Sequence, residues 1–287
     1  MKRIATIGFF DGVHKGHQFL FERLRALADE HGLQPVIVTF TNHPRQVLQS
    51  DYVPRLLTTL DERRKLLQSY GEVLVLPFED VQPLTAAQFI QRLSEQYGVR
   101  MLLMGYDHRF GSDRLQHAQD YRKAGALCGV EVLTMGEFIA GELHVSSTEI
   151  RQALEIGNIV IANELLGRPY SLTGTVVRGR GIGHTIGFPT ANIQPDSNEK
   201  IIPHNGVYAV EVLCADGHPM PALCNIGTNP TVGNAERTIE VFIPGFEGNL
   251  YDQSLSLRFI RFIRSEQKFD SLASLQKQIM EDLASII

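Results

Sequence analysis

Gly8-Phe9-Phe10-Asp11-Gly12-Val13-His14-Lys15-Gly16-His17 decides how the rest of the chain is read. A short apolar strand, Ile4 to Ile7, runs into two glycines and then into His14-Lys-Gly-His17. A helical pattern follows at once, with Phe19, Leu20, Leu24 and Leu27 at helical spacing. The glycines permit a sharp turn and close approach of the backbone, and they leave both imidazoles at the start of a helix. A helix N-terminus offers N–H groups and a partial positive charge, so it suits a phosphate. Histidines three residues apart share one face of the first turn, aimed at whatever sits there. Two plainer readings stand beside this one: a zinc pair, or two solvated histidines. Zinc needs further ligands, and no Cys/His cluster supplies them. Strand, glycine turn and helix together favour the phosphate.

A chain of 287 residues is long enough for two ordinary domains. Its 43% apolar and 21% charged content describes a globular protein. The net charge of −5 gives no basic footprint, so nucleic acid is not an expected partner. A polyanionic ligand must be held by a local site instead of a global field. Cys128, Cys214 and Cys224 are odd in number and lack metal-type spacing, which fits a reducing compartment. Lys2 and Arg3 precede an apolar run that ends at Asp11 with no cleavage-like site, so it reads as a first strand. No run approaches the length of a membrane span. The expectation is a cytoplasmic, soluble protein with no membrane partner, whose oligomeric state stays open.

Strand and helix alternate through the first half. Val36 to Phe40, Val73 to Leu76, Met101 to Met104 and Val130 to Leu133 read as further strands. Leu60 to Tyr70, Thr85 to Tyr97 (Thr85 as cap) and Leu115 to Cys128 read as helices between them. Such alternation predicts a parallel sheet covered on both faces, with ligands beyond the carboxyl ends of its strands. Loops at that edge carry His14 and His17, Asn42 and His43-Pro44, Asp107 and His108, and Ser146-Ser147-Thr148. Ser147 or Thr148 fits a plain helix cap, and the same hydroxyls with Arg151 fit the outer phosphates of a nucleotide; the two roles are compatible. A second helical stretch, Ala162 to Leu166, follows a break at Gly157-Asn158.

Near Gly167 to Tyr170 the pattern changes to short alternating runs separated by Gly, Pro and Asn. Leu172 to Val177, Val207 to Leu213, Ala222 to Ile226, Thr238 to Ile243 and Leu255 to Phe262 predict a small antiparallel barrel. Asn205-Gly206 is a turn signal before Val207, and Phe269 to Ile287 reads as one amphipathic helix. The expected boundary falls at residue 168. Gly179, Gly181, Gly183 and Gly187 have neither Walker A nor dinucleotide-fold spacing, and each alone reads as a barrel-turn glycine.

The opening stretch resembles the signature of the nucleotidylyltransferase superfamily, and its longer form resembles the FMN adenylyltransferase half of prokaryotic bifunctional riboflavin kinase/FAD synthetases. Val145-Ser-Ser-Thr-Glu-Ile-Arg151 and Gly105-Tyr-Asp-His-Arg-Phe-Gly111 resemble further motifs of that superfamily. Gly174-Thr-Val-Val-Arg-Gly-Arg-Gly, continuing to Gly187-Phe-Pro-Thr-Ala-Asn192, resembles the riboflavin kinase motif. Asn205 to Ala209, Asn225 to Thr231 and Arg264 to Phe269 agree with it. The resemblance covers nearly the whole chain. It implies a nucleotidylyltransferase-like α/β domain over 1–168 and a riboflavin kinase-like barrel over 169–287.

For the first domain it implies adenylylation of FMN by ATP, with pyrophosphate released and FAD formed. His14 and His17 would meet the transition-state charge. Gly8, Phe9, Phe10, Asp11, Gly12, Asp107, Ser147, Thr148 and Arg151 would hold ATP, and His43 is a further phosphate candidate or a structural His-Pro turn. The nucleophile is a phosphate that is already anionic, so no protein base is required. For the second domain it implies phosphorylation of riboflavin. That nucleophile is an alcohol, which holds its proton about as tightly as water, with a pKa of ~16. Glu240 matches the family's catalytic carboxylate; alone, it reads as a solvent-facing strand residue. Gly179, Arg180, Gly181, Gly187 and Pro189, with Arg178, would surround ATP, while Thr190 and Asn192 would supply oxygens to Mg²⁺. His184 and the run Phe242-Ile-Pro-Gly-Phe246 depart from the family pattern, which puts substrate affinity, and not bond-making, in doubt. Two other readings are a transferase of another specificity, and an FMN adenylyltransferase whose barrel binds flavin without catalysis.

Overall fold

The computed structural model describes residues 2–49, 51–106, 108–136, 138–140, 143–179, 187–213, 218–231 and 234–286. Two compact units divide the chain, Met1–Ser147 and Thr148–Ile287.

The first unit is built on five parallel strands: β1 (Arg3–Ile7), β2 (Gln34–Phe40), β3 (Glu72–Leu76), β4 (Val99–Met104) and β5 (Glu131–Thr134). Their order is β3-β2-β1-β4-β5. The chain therefore winds outward from β1 on one side and returns to pair β4 on the other. The carboxyl ends of β1 and β4 flank that reversal, which is where open parallel sheets bind ligands.

Alternate strand residues feed two separate cores. Ile4, Ile37, Met101 and Leu103 pack with α1 (Lys15–His31) and α3 (Leu60–Leu67). Ala5, Val36, Val38 and Leu102 pack with α4 (Ala86–Tyr97) and α5 (Ala118–Leu127). The core side of α1 is Leu20, Phe21, Leu24, Leu27 and Ala28. Phe19, read with that stripe in the sequence, is 39% exposed, and Phe21 takes the core place instead. Thr85 caps α4 as predicted, in a reciprocal box with Gln88. A short helix α2 (Pro44–Leu48) and a hairpin of β6 (Ile139–Ala140) with β7 (Leu143–His144) were not foreseen.

The second unit opens with α6 (Ser147–Glu155), whose first residue still belongs to the first unit, and α7 (Ile159–Leu166). A closed antiparallel barrel follows, in the order β10-β11-β12-β9-β8-β13. Its strands are β8 (Tyr170–Val177), β9 (Ala191–Pro195), β10 (Gly206–Leu213), β11 (Pro219–Thr231), β12 (Asn234–Phe242) and β13 (Ser254–Arg264). Strand β9 starts at the end of the glycine-rich motif and was missed. The helices α6 and α7 group with the barrel, ahead of the sequence boundary at 168, for a visible reason. His204 N–H donates to Leu154 O at 2.9 Å, and the Asn163 side chain bonds Phe259 O and Tyr170 N–H. The last helix, α8 (Leu272–Ala284), lies on the outer barrel wall, where Leu283 and Ile279 pack with Val207, Leu223 and Phe242. Arg264 clamps it there through Asp282, at 2.8 Å.

Candidate active sites

The first site grows from the end of β1. Gly8 N–H donates to Val38 O at 3.0 Å, and Phe9 O accepts from Thr39 Oγ1 at 3.0 Å, so the loop starts as an extension of the sheet. A Cβ on Gly8 would lie 2.6 Å from the Phe10 ring, which explains glycine there. Phe10 and Val13 sit at φ 56° and 43°. A β-branched or bulky residue avoids that region, at a cost of about 1–3 kcal/mol each. The loop keeps this conformation because it is tied at several points. The Asp11 carboxylate accepts from Leu57 N–H and Thr58 N–H at 3.0 Å and from Thr58 Oγ1 at 3.1 Å. Gly12 N–H donates to Thr58 Oγ1 at 3.0 Å. Ser147 Oγ donates to Asp11 O at 2.9 Å, joining two motifs far apart in sequence.

Both histidines reach the start of α1. His14 is the N-cap residue, extended and without a side-chain capping bond. Its ring stacks on that of His17, with centroids 3.6 Å apart and planes 21° apart. His17 also meets the edge of Phe10 at 5.2 Å. The first turn carries no acidic residue, so nothing there neutralises the helix's positive end. A stacked imidazole pair at such an end is chemically suited to phosphate oxygens. The side chains of Phe9, Phe10 and Asp11 are occupied with packing and tethering, so this loop offers mainly backbone to a ligand.

His43 caps α2, its Nδ1 accepting from Arg45 N–H at 3.1 Å, and its ring meets Phe9 at 4.8 Å. The structural His-Pro reading is therefore realised there. Thr148 and Arg151 continue the opening turns of α6. Asp107 lies outside the described residues, as do Arg180, Gly181, Gly183 and His184.

The second site is a row across the barrel. Asn192 on β9 stands opposite Val177 and opposite Glu240, and Glu240 stands opposite Asn225. Direct antiparallel partners share a sheet face, so Asn192, Glu240 and Asn225 lie side by side. Their neighbours Ile193, Ile239, Val241, Cys224 and Ile226 are buried in the barrel, so the row faces outward. A Cβ on Gly179 would come within 2.0 Å of the Asn192 amide. That glycine is where the motif's loop closes over Asn192. Burial, and then the charge of Glu240, push the Cys224 thiol well above its ordinary value.

On the Val241 side of β12, the face opposite Glu240, lies a cavity of about 330 Å³, lined by Val176, Pro189, Thr190, Val241, Phe246 and Tyr251 among others. Arg178 lies over the Tyr251 ring at 5.2 Å. The departing run forms a turn, with Phe246 N–H on Ile243 O and Gly245 at φ 69°, which carries Phe246 to the cavity. Phe242 packs edge-on against Phe188 at 5.3 Å. Gly187 takes φ 80°, a conformation only glycine adopts readily. Sequence reasoning missed Thr58, Arg63 and the aromatic cavity lining, and it gave Asn225 a motif but no place beside Glu240. Of those missed, only Arg63 came with a local signal: Thr59 and Glu62 form a capping box announcing α3, without showing which face is buried.

Residues 1–149 match the family model for FAD synthetase, and residues 166–286 match that for riboflavin kinase. The bifunctional riboflavin kinase/FMN adenylyltransferase of Escherichia coli strain K12 is 37% identical over 283 residues, covering 97% of this chain and 90% of that protein. The chain belongs to this bifunctional family. The Bacillus subtilis relative of the same name is 35% identical over 292 residues, covering 98% of this chain and 90% of that protein. A crystal structure described as a macrolide-efflux protein from Streptococcus pneumoniae superposes with TM-score 0.91 at 31% identity, covering 99% of this chain and 93% of that one. Among the described residues here, no helix is long and apolar enough to cross a membrane.

Proposed function

We propose the following division of labour between the two sites. The chain is a bifunctional enzyme of flavin cofactor synthesis: the barrel converts riboflavin and ATP to FMN and ADP, and the parallel-sheet domain converts FMN and ATP to FAD and pyrophosphate. The adenylyl site is carried by one observation, the stacked His14–His17 pair at an acid-free helix N-terminus. There an FMN phosphate oxygen attacks the α-phosphorus of ATP while the bond to the β-phosphate oxygen breaks. The two imidazoles and the first-turn amides meet the charge that builds on the α-phosphate, which is electrostatic stabilisation without proton abstraction. The backbone of Gly8 to Gly12 lies along the nucleotide, and Asp107 serves magnesium or the ribose. Ser147, Thr148 and Arg151 take the departing pyrophosphate.

In the barrel, Glu240 accepts the proton of the riboflavin hydroxyl as it attacks the γ-phosphorus. Gly179, Arg180, Gly181, Gly187 and Pro189 surround the phosphates of the nucleotide, with Arg178 near them. Thr190 and Asn192 are neutral oxygen donors with a carboxylate next in the row. That set fits Mg²⁺, a hard ion that relies on phosphate oxygens and water for the rest of its shell. Mg²⁺ would supply charge neutralisation on the transferring phosphates. The functional boundary stays at residue 168, and the cytoplasm is the compartment that fits free thiols at Cys128 and Cys224.

The test is substrate-resolved. With riboflavin and ATP, His17→Ala makes FMN and stops. With FMN supplied, Glu240→Gln makes FAD. FAD synthesis at the normal rate by His17→Ala would refute this use of the histidine pair.

A further inference from the structure

Arg63 is the one large cation in the first unit that is wholly buried, at 0% exposure, among the described residues. It projects from α3 beneath the loop of Gly8 to Val13. Its guanidinium lies 4.0 Å from the centroid of the Phe9 ring. One nitrogen, Nη2, donates to Phe40 O at 2.6 Å, at the carboxyl end of β2. Nε and Nη1 have no hydrogen-bond partner among the described residues. Burial lowers its pKa to about 10, opposed by the negative charge of Asp11, so the group remains a cation at neutral pH.

Such a residue is a poor choice for stability alone. Leaving donors of a buried charge unmet is penalised, and an apolar side chain of equal volume avoids the penalty. What the cation gains is an attachment to the loop through the face of Phe9, supported by the favourable charge of Asp11 in the same loop. The same loop holds Phe10 and Val13 in strained conformations and carries the Phe10 ring against His17. Phe9 reaches outward to His43 while Phe10 packs on His17 and Phe21. A force on Phe9 is therefore transmitted through one peptide unit to the residue that supports the imidazole pair.

We infer that Arg63 is a positioning residue for adenylyl transfer, its buried guanidinium, anchored on Phe40 O, pinning Phe9 so that the strained loop aims His14 and His17 at the reacting phosphate. The inference rests on the His-pair reading above. It predicts that the effect falls on kcat for FAD formation and not on substrate binding, because Arg63 is sealed from the ligand.

The experiment compares Arg63→Met, Arg63→Lys and Arg63→Ala with His17→Ala in the full chain, measuring FMN-to-FAD and riboflavin-to-FMN rates separately. Arg63→Met should lower kcat for FAD formation by about 10- to 100-fold, the scale of a slightly misplaced catalytic group. KM for ATP and FMN should stay near the parent values, and riboflavin phosphorylation should be unchanged. Arg63→Lys, which keeps the cation over Phe9, should recover most of the rate. Guanidinium chloride at millimolar concentration should partly rescue Arg63→Ala, while urea does not. FAD formation in folded Arg63→Met at the parent kcat, with His17→Ala impaired, overturns the inference alone. A loss that only tracks the unfolded fraction, with neither lysine nor guanidinium restoring it, also overturns it. Normal FAD formation by His17→Ala removes the site reading and this inference with it.

Discussion

The two sites solve different problems with different parts of the secondary-structure repertoire. In the parallel-sheet unit the attacking group needs no deprotonation, and the structure offers a helix N-terminus, a glycine turn and two stacked imidazoles. No carboxylate of that loop is left facing a substrate, because Asp11 is spent on Leu57 and Thr58. In the barrel the attacking group is an alcohol, and the structure places a carboxylate, Glu240, between Asn192 and Asn225 on an outward row. In the proposed roles, a tethered loop with donors serves the first chemistry, and an acceptor on a strand serves the second. The difference teaches that the nature of the nucleophile decides which residue types a phosphate-handling site must contain.

The largest effect should separate the sites outright. Glu240→Gln should slow riboflavin phosphorylation by about 10²–10⁴, the usual weight of a general base, while FMN-to-FAD conversion is retained. His17→Ala should slow FAD formation by about 10²–10³, the scale of one lost transition-state donor, with FMN formation retained. Next in size is a stability contrast. Asp282 is nearly buried and paired with Arg264 at 2.8 Å. Asp282→Ala should destabilise the barrel by about 3 kcal/mol, since it strands a partly buried cation. In a thermal-inactivation series, riboflavin phosphorylation should then fail at lower temperature than FAD synthesis. The smallest effect reverses that order: Thr85→Ala removes the capping box of α4 and should weaken the first unit by ~1 kcal/mol. FAD synthesis should become the more heat-sensitive activity. Equal losses of both activities in these variants would mean that the two units do not work separately.

Much of this was legible before any coordinates. Strand–helix alternation gave the parallel sheet, and Thr85 and the glycine-flanked histidines were read in their places. The parts that were not legible share a cause. Arg63 sits in Leu60-Asp-Glu-Arg-Arg-Lys, a charge run that locally resembles a solvated helix face, and only tertiary packing buries one of its members. Phe10 and Val13 take left-handed conformations that sequence normally signals through glycine or asparagine. Strand β9 was hidden because Ala191-Asn-Ile-Gln-Pro195 is short, ends in proline and gains its pairing from β8 and β12. Phe19 lies beside the buried stripe of α1, close enough to be read with it, and Phe21 fills the core.

The most direct measurement is a chromatographic time course of riboflavin, FMN and FAD for the parent chain, Glu240→Gln and His17→Ala, each started from riboflavin and separately from FMN. The account predicts sequential FMN and FAD from the parent, FAD only from added FMN with Glu240→Gln, and FMN accumulation without FAD with His17→Ala. A single substitution that abolished both conversions in a folded protein would contradict it.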